Sequence, residues 1–274
     1  MATNPRRPYP PTPIEPFELR HPAVPPGAEG VTILHIADLH VRRGRPRSAG
    51  IRRAAAALAA TTADLAVLCG DYMNYPGDER ATLEALAFIA ASCRTRHGVW
   101  AIFGNHDSWE FVREARKIPG ISWMEGGRAA VEPIAGVPLT LVGTDEPEDL
   151  FGIATRAGLE GRPLRDRFCI ALAHYPTEIY TAAALGISIV LAGHTHGGQF
   201  RAHPRFAPHT SCDLPAHLAA GVLRVGDTVC CISRGLGQAV VELRLNCPVQ
   251  LPLYTLRRGQ TESPAIGLGV SLPW

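Results

Sequence analysis

The sequence predicts an α/β fold in which short buried strands alternate with helices. Five apolar runs rich in β-branched residues are predicted strands, at 31–37, 65–69, 98–103, 168–173 and 187–192. Predicted helices follow or separate them, at 51–62, 78–94, 109–117 and 177–186. Because the runs are apolar throughout, we expect core strands that are buried on both faces, as in α/β proteins.

The remaining segments predict the periphery of one domain. Residues 129–134 and 137–143 predict a hairpin, and 228–233, 238–245 and 250–257 predict a terminal set of antiparallel strands. The first 29 residues are rich in proline and predict an extended N-terminal arm. We therefore expect an arm at 1–29, a catalytic domain at 30–258 and a loose extension at 259–274.

Composition and charge limit the classes of partner. The chain has 274 residues, of which 46% are hydrophobic and 19% charged, as in a soluble globular protein with one substantial core. A net charge of +2 gives no reason to expect nucleic-acid binding. The stretch 42–53 is locally basic. It is either a solvated loop and helix start or a patch that meets anionic substrate or anionic lipid head groups.

The cysteines and the chain's apolar segments bear on location. Seven cysteines occur without CxxC spacing, which excludes a zinc ribbon and is typical of a reducing compartment. No apolar core follows the N-terminal arginines, and no run of about 18 apolar residues occurs. We expect a cytoplasmic protein.

Side chains that can bind metals come directly after the predicted strands. They are Asp38, His40, Asp71, Asn105, His106, Asp107, His174, His194 and His196. The carboxyl ends of strands in α/β sheets form the crevice where ligands bind, so these clusters should meet at one edge. Residues two apart in an extended segment project to the same side, so Asp38 with His40, and His194 with His196, should each converge.

The donor types predict the kind of metal. The candidate ligands are carboxylates, imidazoles and an amide oxygen, with no thiolate. This set suits Mn²⁺, Fe or Zn²⁺ and differs from a structural zinc site, where cysteine usually dominates. A single carboxylate such as Asp71 between two cations would hold them roughly 3.5–4 Å apart, as in two-metal hydrolases.

These motifs resemble a known family. The order DLH (38–40), GD (70–71), GNHD (104–107), His174 and GHTH (193–196) is similar to that of the calcineurin-like metallophosphoesterases, from about residue 31 to about 257. GHTHGGQ and SRGLG (233–237) resemble a bacterial branch whose members are often membrane-anchored and include enzymes acting on lipid-linked pyrophosphates. The resemblance implies a four-layer sandwich, with two mixed β-sheets packed together and flanked by helices.

The resemblance also implies roles for individual residues. One divalent metal would be held by Asp38, His40 and His196, and a second by Asn105, His174 and His194. Asp71 would bridge them. His106 would contact the phosphate and protonate or stabilise the leaving oxygen, with Asp107 orienting its imidazole. The implied reaction is in-line attack on phosphorus by a metal-bridging hydroxide.

Several functional alternatives stay open at this stage. The bond could be a phosphodiester, a phosphomonoester or a pyrophosphate, in a phosphorylated small molecule or a lipid-linked substrate. Peripheral association with the inner face of the membrane is compatible with the latter. The alternatives are a nuclease or cyclic-nucleotide phosphodiesterase on the same site, for which a basic groove or interleaved aromatics are lacking, and a non-catalytic metal-binding scaffold.

Other polar residues receive weaker assignments. Gln199 is a candidate substrate contact. The irregular loop 200–221 forms either a wall of the substrate site or a structural cover, and it contains Arg201, His203, Arg205, His209 and His217. We expect His35 to be a core residue, His97 to lie on the surface, and 144–146 to be a loop rather than further ligands.

Overall fold

The computed structural model describes residues 12–124, 126, 128–144, 163–201 and 207–260. Its helices are α1 (Ala49–Ala59), α2 (Glu79–Ser92), α3 (Trp109–Ala115) and α4 (Ile179–Leu185). The strands of its first half are β1 (Ile14–His21), β2 (Thr32–Ile36), β3 (Thr62–Ala63), β4 (Leu65–Cys69), β5 (Arg94–Thr95), β6 (Val99–Ile102) and β7 (Ile121–Trp123). Those of its second half are β8 (Ala129–Val131), β9 (Thr140–Thr144), β10 (Cys169–Ala173), β11 (Ile189–Ala192), β12 (Gly221–Val225), β13 (Thr228–Ile232) and β14 (Leu251–Arg258).

The strands form two six-stranded mixed sheets. The first has the order β1-β14-β2-β4-β6-β7, in which β2, β4, β6 and β7 are parallel and β14 is antiparallel to β2. The second has the order β12-β13-β11-β10-β9-β8, with four parallel strands between antiparallel edges β12 and β8. Strands β3 and β5 form a short separate pair. All five strands predicted at the core are present.

The two sheets pack face to face and helices cover their outer faces. Side chains such as Ile33 and Val67 of the first sheet share one buried cluster with Ile170 and Leu191 of the second. The opposite face of the first sheet packs against α1, α2 and α3, and that of the second against α4. The predicted four-layer sandwich is therefore confirmed.

Local sequence explains where the helices start and stop. The hydroxyl of Ser48 accepts a hydrogen bond from Ile51 N at the start of α1, and Ser108 does the same for α3. Helix α4 ends at Gly186, whose φ of 73° is the left-handed conformation in which glycine commonly terminates helices.

Two peripheral predictions need correction. Residues 14–21, assigned to the N-terminal arm, form an edge strand that pairs in parallel with β14 along its whole length. The predicted terminal antiparallel set is wrong, because β13 and β14 belong to different sheets and 238–245 is not a strand. Its apolar alternation looks like a strand, but Val240 takes a positive φ of 56° and its side chain is exposed rather than packed on a sheet.

The described part of the chain contains no helix long and apolar enough to cross a membrane. The seven cysteines are free, and five of them are buried. Hairpin β8–β9 is formed as predicted.

Candidate metal centre

Both sheets deliver polar side chains to one site. Asp38, Asp71 and Asn105 follow β2, β4 and β6 of the first sheet, and His174 and His194 follow β10 and β11 of the second. These are carboxyl ends of strands that run parallel within each sheet. The packing of the two sheets thus brings together residues more than 150 positions apart in sequence, as when His194 N donates to Asp38 Oδ1 at 2.9 Å.

The ligand atoms form three overlapping groups. In each group, one atom from every member lies within 4.8 Å of the others. The groups are Asp38, His40 and His196; His40, Asp71 and His106; and Asp71, His174 and His194. Asp71 is shared by the last two groups, and His40 by the first two.

Asp71 occupies the middle of the cluster. Its Oδ2 lies 3.3 Å from His40 Nε2 and 3.3 Å from His174 Nε2. Its Oδ1 accepts a hydrogen bond from His106 N at 2.9 Å. One carboxylate oxygen is therefore equidistant from an imidazole of each predicted metal set.

The imidazoles of each predicted set also face one another. His196 Nε2 lies 2.9 Å from His40 Nε2, and His194 Nδ1 lies 3.2 Å from His174 Nε2. Asn105 Oδ1 lies 3.1 Å from the same His174 nitrogen. Atoms that can bind a cation therefore converge in two places.

Backbone carbonyls fix the orientation of three imidazoles. Cys69 O lies 2.9 Å from His174 Nδ1, Ser211 O lies 2.7 Å from His194 Nε2, and Asn74 O lies 2.8 Å from His106 Nδ1. A carbonyl only accepts, so the facing nitrogen carries a proton, and it is the other ring nitrogen that has a lone pair whenever the ring is neutral. This is the usual way in which metal-binding histidines are oriented.

The partner of Asp107 differs from the expected one. His106, which Asp107 was expected to orient, instead pairs with the Asn74 carbonyl. The Asp107 carboxylate accepts hydrogen bonds from four backbone N–H groups, those of Gly104, Asp71, Tyr72 and Met73, at 2.9–3.1 Å. Burial, followed by the nearby Asp71 charge, raises the pKa of Asp107 to about 7. Asp107 thus holds the turn that carries Asp71.

The backbone at the ligands is left-handed. The φ angles are 53° at Asp38, 41° at His40, 55° at Asp71, 70° at His194 and 51° at His196. The paired residues therefore converge through tight turns, and not through the extended segment that the sequence suggested. Positive φ is uncommon outside glycine and costs on the order of 1–3 kcal/mol where it is strained, and such positions cluster at functional sites.

Two glycines allow the ligands to approach each other. A Cβ on Gly104 would lie 2.4 Å from Asp71 Oδ1 and 2.9 Å from His174 Cε1. A Cβ on Gly235 would lie 2.7 Å from Asp38 Cβ, and its φ of 71° already disfavours a side chain. Gly104 belongs to the GNHD motif, and Gly235 to the SRGLG segment, whose contact with Asp38 the sequence did not predict.

The pKa values of Asp38 and Asp71 shift in opposite directions. Burial raises the pKa of Asp38 to about 6. Burial also acts to raise the pKa of Asp71, but His174 and His40 outweigh it and hold that pKa well below its usual range. For His174, burial is outweighed by Asp71, which raises the pKa to about 10.

The pKa values of His194 and His196 are lowered. Burial and then the His174 charge lower the pKa of His194 to about 4, and burial and then His40 hold the pKa of His196 well below 6.5. Neutral imidazoles at His194 and His196, with an ionised Asp71, are the protonation states that metal ligands need.

The residues fit a pair of divalent cations. Asp38 Oδ2 is buried and has no hydrogen-bond partner among the described residues, which is costly for a carboxylate unless a cation compensates it. His40 Nε2 and His196 Nε2 face each other with no group of the described chain between them. The donors are oxygen and nitrogen without thiolate, as the sequence predicted.

Part of the site reaches the surface. Asp38, His40, Asp71, His174 and His196 are buried, whereas Asn105, His106 and His194 reach the surface. A cavity of about 530 Å³ begins at His194 and is lined by Tyr175, His209, Ser211 and Asp213. The loop after residue 200 thus supplies a wall of this cavity as well as the carbonyl that orients His194. His203 and Arg205 lie outside the described residues.

Other residues singled out in sequence have different surroundings. The Gln199 amide is engaged by loop 238–245: Gln199 Oε1 accepts from Ala239 N, and Nε2 donates to the carbonyls of Ala239 and Val241. His35 is a buried core residue and His97 is exposed. Thr144 ends β9, while the adjoining residues 145–146 lie outside the described residues.

Sequence reasoning missed four contributors to the site. The carbonyls of Cys69, Asn74 and Ser211 carry no residue-type signal, and only the folded chain brings them to the imidazoles. Arg244 was also missed: it donates to the carbonyl of His196 at 3.2 Å and to that of Gly237 at 2.6 Å. Its place inside an apolar alternating segment was the only available signal.

Comparison with known proteins places this site in a family context. A family model described as calcineurin-like phosphoesterase matches residues 31–198. The uncharacterized metallophosphoesterase YkuE of Bacillus subtilis is 24% identical, over 85% of this chain and 82% of its own length. YkoQ of the same organism, also an uncharacterized metallophosphoesterase, is 25% identical over 84% and 85%. The phosphodiesterase YaeI of Escherichia coli is 28% identical over 82% and 81%.

Proposed function

Because the chain belongs to the calcineurin-like phosphoesterase family and is a phosphoester hydrolase, we propose that it hydrolyses a phosphodiester with water at a centre of two divalent cations. Phosphomonoesters and pyrophosphates are the other bonds that such a centre can cleave. The diester is placed first because a relative matched over most of both chains bears the name phosphodiesterase.

The position of Asp71 is the observation that carries this proposal. Its Oδ2 is 3.3 Å from an imidazole of each predicted metal set, so a single carboxylate can serve both sites. Asp38, His40 and His196 would hold one cation, and Asn105, His174 and His194 the other. Once bound, the two cations supply an acidified water at neutral pH and neutralise the phosphoryl oxygens.

His106 is placed to act on the substrate. It follows Asn105 on the open side of the site and lies in contact with His40, at 4.8 Å between ring centroids. Its Nδ1 is held by the Asn74 carbonyl, which leaves Nε2 available to the phosphate or the leaving oxygen. Positioned proton transfer of this kind contributes typically 10²–10⁴-fold to a rate.

Asp107 and the carbonyls of Cys69 and Ser211 preorganise the centre. They hold the Asp71 turn and the imidazoles of His174 and His194 before substrate arrives. Asp38, His40, Asp71, His174 and His196 are buried, whereas Asn105, His106 and His194 reach the surface, so substrate can approach the centre from the side of these three residues.

The proposal is tested by a hydrolysis panel on metal-free and metal-supplemented protein. The substrates are bis-p-nitrophenyl phosphate, p-nitrophenyl phosphate, cyclic nucleotides, single-stranded nucleic acid and a nucleotide-sugar pyrophosphate, each with Mn²⁺, Fe²⁺ or Zn²⁺. We expect metal-dependent turnover of the diester that falls about 10²–10⁴-fold in His106→Ala. His97→Ala, an exposed histidine away from the centre, is the matched control. Turnover of nucleic acid or cyclic nucleotides alone would replace the assignment, and absence of metal-dependent turnover of any substrate would favour a non-catalytic scaffold.

A further inference from the structure

Residues 240–245 expose an unusually large apolar surface. Val240, Val241, Leu243 and Leu245 are 67%, 50%, 57% and 51% exposed. They are four of the eight large hydrophobic side chains that the described chain leaves exposed. Single exposed hydrophobic residues need no explanation, but a contiguous group marks an interaction site. We call residues 238–245 the apolar loop.

The apolar loop is held firmly from beneath. The Gln199 amide bonds to Ala239 and Val241, and Arg244 donates to the carbonyls of Arg234 and Gly237 at 2.7 and 2.6 Å. Val240 is kept at a φ of 56°, which is a costly conformation for a β-branched residue. The hydrogen bonds therefore fix a backbone that directs aliphatic side chains to solvent.

Arginines border the apolar loop. The stretch 42–53 carries six arginines and no acidic residue. Arg42 donates to the carbonyl of Val240 at 3.1 Å, and Arg45 lies 2.9 Å from Glu242 of the loop. The Arg45 side chain is 64% exposed. Arg42 and Arg45 share Glu242 as their acidic partner, and Arg43 between them is exposed, so the aliphatic surface adjoins a surface of net positive charge.

We propose that the apolar loop and the adjoining arginines dock the protein on a bilayer that contains anionic lipid. Aliphatic side chains gain by entering the acyl boundary while arginines remain at the phosphate level, as in other interfacial segments. Protein-binding hot spots are enriched in Trp, Tyr and Arg and depleted in Leu and Val, whereas 240–245 contains no aromatic residue and exposes two leucines and two valines. Self-association of this face would bring arginines against arginines.

Docking would place the metal centre at the lipid surface. Arg244, within the apolar loop, donates to the carbonyl of His196, and Arg42 and His40 line one cavity of about 320 Å³ beside the loop. The docking itself does not rest on the proposed hydrolysis, because it uses none of the metal-binding side chains.

The experiment is flotation of the metal-loaded full chain with vesicles. One set contains phosphatidylcholine alone, and the other contains about a third phosphatidylglycerol. We expect at least about tenfold stronger binding to the anionic vesicles, weakened by salt, and a similar loss in Val240→Ser with Leu243→Ser. Tyr180→Ser, also an exposed apolar residue, is the control and should bind as the wild type does.

A second pair of variants tests the charged component. Arg43→Gln with Arg45→Gln should lower binding to anionic vesicles, whereas Arg113→Gln with Arg116→Gln, at the C-terminal end of α3, should not. All four arginines are exposed. An unchanged thermal unfolding temperature would verify that the variants are folded. Equal binding to both vesicle types, no binding to either, or equal losses in the control variants would overturn the proposal. A concentration-dependent dimer that Val240→Ser with Leu243→Ser dissociates, without vesicle binding, would assign the face to a second copy instead.

Discussion

His40 and His196 direct their Nε2 atoms at each other across 2.9 Å, although 156 positions separate them in sequence. The two rings are buried, and the lone pair of Asp38 Oδ2, in the same group, has no partner among the described residues. Two imidazole nitrogens and this carboxylate oxygen thus converge in a buried site, and a cation would stabilise this arrangement by accepting their lone pairs. Four predictions follow from such contacts, and a fifth tests the centre as a whole.

Asp107→Asn should weaken the centre without disturbing His106. Asparagine offers one acceptor oxygen where the carboxylate offers two, so about half of the four backbone N–H bonds around Asp71 are lost. We expect a loss of about 10–100-fold in metal affinity, measured by competition with a chelating dye. Asp166→Asn, at an exposed position, should bind metal normally. Unaltered affinity in Asp107→Asn would show that the turn holds itself.

Gly104→Ala should abolish metal binding while the fold persists. The new Cβ would overlap Asp71 Oδ1 at 2.4 Å, in a region where the backbone of Asp71 also lies at 2.5 Å, so the carboxylate must move. Gly50→Ala, where a Cβ would meet only Ser48 Oγ at 3.8 Å, is the matched control. Metal content and circular dichroism distinguish loss of the site from unfolding. A Gly104→Ala protein with full metal content would contradict the close packing inferred for this turn.

His35 should make the folded protein sensitive to acid. Burial lowers the pKa of His35 from 6.5 to about 3, and neither ring nitrogen has a hydrogen-bond partner among the described residues. Below pH 6.5 the unfolded chain binds a proton at His35 that the folded chain excludes. The free energy of unfolding therefore falls as the pH falls from 6.5 toward about 3. The slope is at most about 1.4 kcal/mol per pH unit.

His35→Leu removes this titration. Relative to the variant, the wild type should lose about 2 kcal/mol of unfolding free energy between about pH 7 and about pH 5. Urea unfolding of both metal-free proteins across that range measures the difference. Parallel stability curves for the two proteins would mean that His35 finds a partner or water in the folded state.

Gln199→Ala separates two roles for this side chain. The structure engages its amide with Ala239 and Val241, so its loss should loosen the apolar loop and speed proteolysis there, with little change in metal affinity. Gln238→Ala is the control on the loop itself. If proteolysis is unchanged and the Michaelis constant rises instead, Gln199 contacts substrate, as the sequence suggested.

The sequence predicts the strands and the ligand types well because both are local features. A fully apolar run of only five residues such as 65–69 favours a buried strand over a helix, and a polar residue such as Asp71 just beyond it is then expected at the sheet edge. The packing of the two sheets, which brings Asp38 close to His194, depends on tertiary contacts. Periodicity could not predict this packing, and the family resemblance did.

The remaining features depended on tertiary contacts. The family resemblance implied that Asp107 orients His106, but four backbone N–H groups form a better match for a carboxylate than one imidazole does. The alternating pattern at 238–245 predicted a strand because nothing in it reveals that Gln199 and Arg244 hold the backbone in a loop. Backbone carbonyls such as those of Asn74 and Ser211 have no signature in sequence at all.

The most direct measurement is the number of divalent cations bound per chain, by native mass spectrometry, in the wild type and in Asp71→Asn. The wild type should bind two. Asp71→Asn should bind one or none and lose phosphodiester hydrolysis at least about 100-fold, because the only carboxylate that lies between the two histidine sets in the described chain is gone. Asp166→Asn should retain both cations and full activity. An Asp71→Asn protein that binds two cations and hydrolyses the diester at the wild-type rate would contradict the bridging role on which the account depends.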